Sequence, residues 1–190
     1  MSKQHLLTYL RTLKVSSLTR NIPNISEQNA EFIKEILRTR KPRHLLEIGT
    51  ANGYSALQFS MAIPEGDITT IEYAWNAHNE AVEHFKNCKV KSIHAIWGDA
   101  KMVLPTLKSG YFDCIYIDAM KREYLRYIEL SLPLATEDAI IIIDDVVKFR
   151  DKMTNFYEWL HSHKIPYTIE MTDEDDGIMI LYKKDISSYE

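Results

Sequence analysis

Cysteine is scarce in this chain of 190 residues: only Cys88 and Cys114 are present. Two thiols cannot supply a disulfide framework or a Cys-rich metal site, and Cys114, set in an apolar run, reads as a buried reduced thiol. Glycine and proline are sparse as well, at six each, which excludes collagen-like and low-complexity architectures. Long hydrophobic runs are missing. The longest, residues 139–143, is far too short to span a bilayer. Residues 1–14 lack the continuous apolar core of a secretory signal, so the expectation is a cytoplasmic protein with no membrane partner. Excess positive charge is absent too: the net charge of −4 offers no broad surface for nucleic acid, although a local basic patch stays open.

What is present is enough for a folded core. Hydrophobic residues make up 45% of the chain, and the 26% that are charged are mixed in sign. From residue 43 onward, short β-rich runs alternate with amphipathic stretches, the pattern of a parallel sheet covered on both faces. Strands are expected at 44–48, 67–71, 92–97, 112–117, 139–143, 167–171 and 178–182. Helices are expected between them at 54–61, 75–87, 100–107, 121–132 and 152–161. The run Ile140-Ile141-Ile142-Ile143 has no polar face and suits a central strand. An acidic hairpin at 173–177 implies that the last strand runs antiparallel. Upstream, a helix at 27–39 is capped by Asn24 or Ser26, and a shorter one at 3–13 leads into the polar stretch 16–24. Residues 1–25 therefore read as an N-terminal helix and lid segment, and residues 26–190 as the main domain, in one globular unit.

The segment Leu45-Leu46-Glu47-Ile48-Gly49-Thr50-Ala51-Asn52-Gly53-Tyr54-Ser55 carries the most chemistry. An apolar strand enters a Gly-rich turn and a helix follows at once, which is where ligands bind in open α/β sheets. Gly49 and Gly53 permit a tight turn and a close backbone approach. Ser55 sits in the first helical turn, within reach of a ligand carboxylate. Glu72, closing the second strand, is placed to accept from ribose hydroxyls. A dinucleotide site normally needs G-x-G-x-x-G. Here the spacing is G-x-x-x-G with Glu47 just upstream, which suits an amino-bearing nucleoside better than a pyrophosphate.

Strand four ends in Asp118 and strand five in Asp144-Asp145. In the expected order these strands are neighbours, so the carboxylates converge on one cleft. Clustered acids are costly unless something positive binds between them, and an oxygen-only set indicates a hard cation, most simply Mg²⁺, with Ca²⁺ and Mn²⁺ as alternatives. The plain alternative is that Asp144-Asp145 caps a turn and that Lys121 is a solvated residue in a first helical turn.

Together, residues 46–55, Glu72, Gly98-Asp99-Ala100 and the Asp118 and Asp144 regions resemble the cation-dependent O-methyltransferases. That family includes catechol and caffeoyl-CoA O-methyltransferases and bacterial enzymes methylating hydroxyuridine in tRNA. The resemblance covers residues 26–184 and implies a Rossmann-like class I methyltransferase fold, an α/β architecture with a seven-stranded, mostly parallel sheet. By it, Glu47, Gly49, Ser55 and Glu72 hold the methionine and ribose of S-adenosylmethionine. Asp99 and Ala100 flank the adenine, bordered also by Ala119 and Met120, while Asp118 touches both cofactor and metal. Asp118, Asp144 and Asp145 form the metal set, with Asp145 departing from the family's Asn. Lys121 is the catalytic base, its pKa lowered by cation and sulfonium. Glu170 aligns with an acid that meets the substrate.

The implied acceptor is a small hydroxylated aromatic with two neighbouring oxygens, with tRNA hydroxyuridine as the alternative. Lys121, Arg122, Arg126, Lys148, Arg150 and Lys152 form a rim that a polyanion could use; acids 173–176 oppose it. Two further classes stay in view. Nucleobase and protein-amine methyltransferases often carry Asn/Asp-Pro-Pro-Tyr where this chain has Asp118-Ala119-Met120-Lys121. A non-catalytic nucleoside-binding module would not need the carboxylate cluster. The sequence leaves a homodimer open. His161-Ser162-His163 reads as surface, and Trp75, Trp97 and Trp159 as core or adenine-side packing.

Overall fold

The computed structural model describes residues 3–174 and 176–186; Asp175, part of the expected acidic hairpin, lies outside them. Two helices open the chain, α1 (Lys3–Thr19) and α2 (Glu27–Arg40). Five strand–helix units follow: β1 (His44–Ile48), α3 (Tyr54–Ala62), β2 (Asp67–Glu72), α4 (Trp75–Asn87), β3 (Ile93–Trp97), α5 (Ala100–Val103), β4 (Phe112–Ile117), α6 (Tyr124–Ser131), β5 (Ala135–Ile143) and α7 (Thr154–Ser162). The chain closes with β6 (Thr168–Glu170), β7 (Ile178–Tyr182) and α8 (Lys183–Ile186).

All seven strands join one sheet in the order β3-β2-β1-β4-β5-β7-β6. The first five are parallel, and β7 is antiparallel to both its neighbours, as the acidic hairpin implied. Strand order reverses beside β1, and β1 pairs with both β2 and β4, so ligands are expected at the carboxyl ends of these strands.

Alternation along each central strand builds a core on each face. Leu46, Ile48, Ile115, Ile117, Ile141 and Ile143 turn to one side, where α6 and α7 pack. Leu45, Cys114, Tyr116, Ile140 and Ile142 turn to the other, beneath α2 and α3. Residues Leu6, Leu10 and Leu13 seat α1 on this second face.

Several boundaries moved from the sequence expectation. Helix α1 runs on to Thr19, into the first four residues of the stretch 16–24 read as lid, with no glycine or proline to interrupt it. Pro105 and Pro133 break the helices after β3 and β4 into short α pieces completed by single 3₁₀ turns. Residues 121–123 form such a turn rather than the start of α6. Strand β5 begins four residues earlier than expected, with a register shift between Phe112 and Cys114 that absorbs the polar Glu137-Asp138 pair. The short helix α8 was not anticipated.

Candidate active site

One cavity of about 1290 Å³ lies across the carboxyl ends of the parallel strands. Gly49, Ser55, Glu72, Asp99, Ala100, Asp118, Lys121, Asp144 and Asp145 all border it, so the structure gathers nearly every residue singled out from the sequence. Glu47 stands behind the wall with no exposed surface. Glu170 is exposed on β6 and does not border the cavity; the following turn, with Thr172, Asp173, Glu174 and Asp176, does. Trp75 and Trp97 are about half exposed, meet edge to face and do not border the cavity, so only Trp159 packs against the core.

The glycine turn is held by backbone chemistry. Gly49 has φ +99°, and a Cβ there would stand 2.0 Å from the carbonyl oxygen of Asp118. At Gly53, φ is +82° and a Cβ would strike the Phe85 ring. Both glycines are therefore demanded by protein packing as well as by the turn. Glu72 reaches back to the same turn: its Oε2 accepts from the amides of Thr50 and Ala51 at 3.2 and 2.8 Å, and Oε1 from Ala74 at 2.8 Å. Asp99 caps α5 through the amide of Lys101 at 2.9 Å.

Behind the turn, Glu47 accepts from the Ser55 hydroxyl at 2.6 Å and from Thr70 Oγ1. Ser55 thus spends its proton on Glu47 rather than offering it to a ligand carboxylate. Burial pushes the Glu47 carboxyl up to about 7, against the two hydroxyl bonds, with Asp118 and Glu72 adding to the rise.

The end of the cavity at β4 and β5 is built on three aspartates. Lys121 Nζ lies 2.8 Å from Asp118 Oδ1, 2.7 Å from Asp145 Oδ2 and 2.8 Å from the Tyr124 hydroxyl. Burial alone would lower its pKa, but Asp118, Tyr124 and Asp145 outweigh that and hold the ammonium above its usual range. The lowered value that the resemblance implied is therefore not what these partners give. Asp144 is 2% exposed. Its Oδ1 accepts from Asn29 Nδ2 and the Asp145 amide, both at 2.9 Å, and its Oδ2 from the Tyr116 hydroxyl at 2.9 Å. Burial, then Asp118 and Asp145, raise its pKa. Asp145 adopts φ +59°, a left-handed conformation that Asp and Asn both tolerate.

Among the described residues no group of three acidic, histidine or cysteine side chains is arranged to hold a metal ion as it stands. The donor chemistry still fits a hard cation: three carboxylates converge, and a cationic stand-in, Lys121, already spans two of them. Seating an ion there requires Lys121 to give up at least one carboxylate.

Asn29, Tyr116 and Tyr124 escaped the sequence reading, which took Asp176 only as one of the hairpin acids opposing the basic rim. Asn29 alone left a signal, as a polar residue on the buried stripe shared with Ile33 and Leu37 of α2. The expected basic rim is largely turned elsewhere. Arg126 pairs with Glu129, Arg150 lies over Tyr157 and Lys152 over Phe149. The cavity wall carries nine acids against three lysines.

The sheet order and the glycine turn before α3 define the class I methyltransferase fold. Solved structures agree on that fold. A methyltransferase of Podospora anserina with bound SAH superposes with TM-score 0.81 at 24% identity, over 93% of this chain and 87% of that one. A Bacillus cereus O-methyltransferase in complex with SAH gives 0.78 at 23%, over 92% and 90%. Residues 1–158 match the O-methyltransferase family, and the chain belongs to it. Its relatives include the catechol O-methyltransferase of Mycobacterium tuberculosis, 32% identical over 65% of this chain and 57% of that protein. A caffeoyl-CoA O-methyltransferase of Stellaria longipes is 31% identical over 62% of this chain and 52% of that protein. The matched segment thus spans a little over half the length of these two relatives. No described helix is long and apolar enough to cross a membrane.

Proposed function

We propose that this protein is an S-adenosylmethionine-dependent O-methyltransferase acting on a hydroxyl beside a second oxygen, on a small aromatic acceptor. The observation that carries the reading is the single cavity joining the glycine turn and Glu72 to the Asp118–Lys121–Asp145 cluster. When bound, the cofactor supplies a methyl group on a cationic sulfur, which the acceptor oxygen takes as the carbon–sulfur bond breaks.

The chain's own residues do the rest. Gly49 and the Thr50 and Ala51 amides shape the cofactor turn, and Glu72 holds that turn while retaining lone pairs for ribose hydroxyls. Glu47, buried and partly charged near neutrality, attracts the cofactor's amino group through Ser55's end of the site. Lys121 takes the acceptor proton at Nζ once it has shed a carboxylate partner and released its own proton to solvent through the open cavity. Asp118, Asp144 and Asp145 would hold a divalent cation, which would lower the pKa of the acceptor hydroxyl. The acid-rich wall repels polyanions, so it supports a small acceptor over tRNA.

Labelled-methyl transfer to a panel of catechols and to hydroxyuridine-containing tRNA, with and without chelator, tests the reading. Transfer to catechols that chelator removes is the expected result. Transfer to tRNA alone would replace the acceptor, and tight cofactor binding without methylation of any acceptor would point to a non-catalytic binding module.

A further inference from the structure

A second cavity, of about 490 Å³, opens beside α7 and shares no lining residue with the first. Its floor is apolar: Tyr157, Leu160 and Ile165 border it and none is more than 9% exposed. Tyr167, on the stretch leading into β6, lines it while remaining 41% exposed. The Tyr157 and Tyr167 rings meet edge to face, their centroids 6.4 Å apart.

The charge of this wall is opposite to that of the active-site cavity. Arg150 stands ahead of α7, His161 on its last turn and Lys164 just beyond it, and all three are exposed. Among the described residues no acid borders the cavity, and none forms an ion pair with any of the three. The first cavity, by contrast, has nine acids against three lysines. Two fixed positive charges lining one hollow repel each other, and an anion between them removes that cost.

The platform is anchored before any ligand arrives. The Arg150 guanidinium lies 4.2 Å over the Tyr157 ring, so its plane rests on an aromatic face. The Tyr157 hydroxyl in turn donates to Val146 O at 2.7 Å, in a buried bond. Fixed groups lose less entropy on binding than loose ones.

These features select the ligand. A phosphate monoester carries about −1.5 to −2 near neutrality, which matches Arg150 and Lys164 together, whereas a carboxylate carries half of that. His161 has a ring N–H in either neutral tautomer and adds a donor to a phosphate oxygen. The tyrosines and the aliphatic floor suit a flat ring. The volume lies in the range of about 300–1,000 Å³ typical of small-molecule sites.

We infer that this cavity is a second ligand site, which takes a small phosphate monoester carrying a flat ring. The phosphate lies at Arg150 and Lys164 with His161 donating, and the ring lies against Tyr167 and the apolar floor. The site is independent of which acceptor is methylated. Calorimetry on the SAH-saturated protein compares 1-naphthyl phosphate with inorganic phosphate, 1-naphthoate and 1-naphthol. Naphthyl phosphate should bind about tenfold or more tightly than each of the other three. Arg150→Gln and Lys164→Gln should each weaken it by about fivefold or more and leave SAH affinity unchanged. Lys164 is exposed, so its variant folds even where loss of the Arg150–Tyr157 contact unsettles the other. Equal affinity for naphthoate would overturn the choice of phosphate, and equal affinity for inorganic phosphate would reduce the site to an adventitious ion only. Binding that neither variant weakens would put the compound elsewhere and overturn the inference. A short oligouridylate that binds more tightly than naphthyl phosphate, and is lost in the same variants, would overturn it as well by making the cavity part of a nucleic-acid surface.

Discussion

Asn29 donates its side-chain amide to Asp144 Oδ1 at 2.9 Å, joining the second helix to the end of the fifth strand across 115 positions of sequence. The same side chain accepts from the Thr172 hydroxyl through its Oδ1. One buried amide thus links Asp144, the upstream helix and the turn around Thr172 that borders the cavity. Its neighbour on Asp144 is Tyr116, whose hydroxyl comes from the opposite side.

Replacing Asn29 with Leu should therefore cost more than its volume suggests. Asp144 Oδ1 would lose one of its two donors and keep only the Asp145 amide, at a buried carboxylate, a penalty of about 1–3 kcal/mol. Urea unfolding should show a lowered midpoint with an unchanged slope. A midpoint equal to the parent's would mean that the amide and Asp144 are not bonded in solution.

Glu47 makes stability depend on pH. Its folded pKa is raised from 4.5 to about 7. The unfolded chain therefore loses this proton first as pH rises, and the folded state is progressively disfavoured between about pH 4.5 and pH 7. The contribution is fully present below the unfolded value and gone above the folded one, with an upper bound of about 3 kcal/mol. Glu47→Gln, which cannot ionise, should gain stability over the parent as pH is raised from 5 to 8. Unfolding curves at both pH values measure that difference. A gap between variant and parent that does not change with pH would place Glu47 in a wetter site than the structure gives it.

Gly49 shows how tightly the glycine turn is set. Gly49→Ala combines a left-handed backbone with a Cβ 2.0 Å from the Asp118 carbonyl oxygen. Either the turn or the end of β4 must shift, and both border the site. The expected loss is on the order of 2 kcal/mol or more, with weaker cofactor binding by calorimetry. Retained stability together with retained affinity would show that the turn relaxes freely.

Much of this was legible because strand periodicity and strand-end chemistry are local. The run 140–143 points to a strand buried on both sides, and the glycine turn with Glu72 points to the strand ends where the cavity opens. What stayed hidden depends on distant pairing. Asn29 and Asp144 meet only because α2 lies beneath the strand ends. Asp176 reads as one more hairpin acid until Val147, Lys148 and Gly177 are seen to bond it. The basic rim failed for a similar reason: sequence gave the charges of Arg126, Arg150 and Lys152, but Glu129, Tyr157 and Phe149 decide where they point. The acid expected at Glu170 shifted into the next turn because β6 stops there, leaving Glu170 exposed.

The last prediction concerns Lys121, whose two readings now separate in two measurements. Its ammonium spans Asp118 and Asp145 with its side chain 14% exposed, so it is not a solvated surface residue. If it also removes the acceptor proton, Lys121→Arg should lower turnover by about a hundredfold or more, because a guanidinium keeps its proton at working pH. The second measurement needs no turnover. Lys121→Met removes the charge that competes with a divalent ion for the two carboxylates, so the variant should bind Mn²⁺ more tightly than the parent, followed by the paramagnetic signal of the free ion. Tighter ion binding with normal turnover in the arginine variant would make Lys121 a charge keeper and leave the proton to another base. Unchanged ion affinity in Lys121→Met would show that Asp118 and Asp145 are not where the cation sits, and chelator sensitivity would then need a different ligand set.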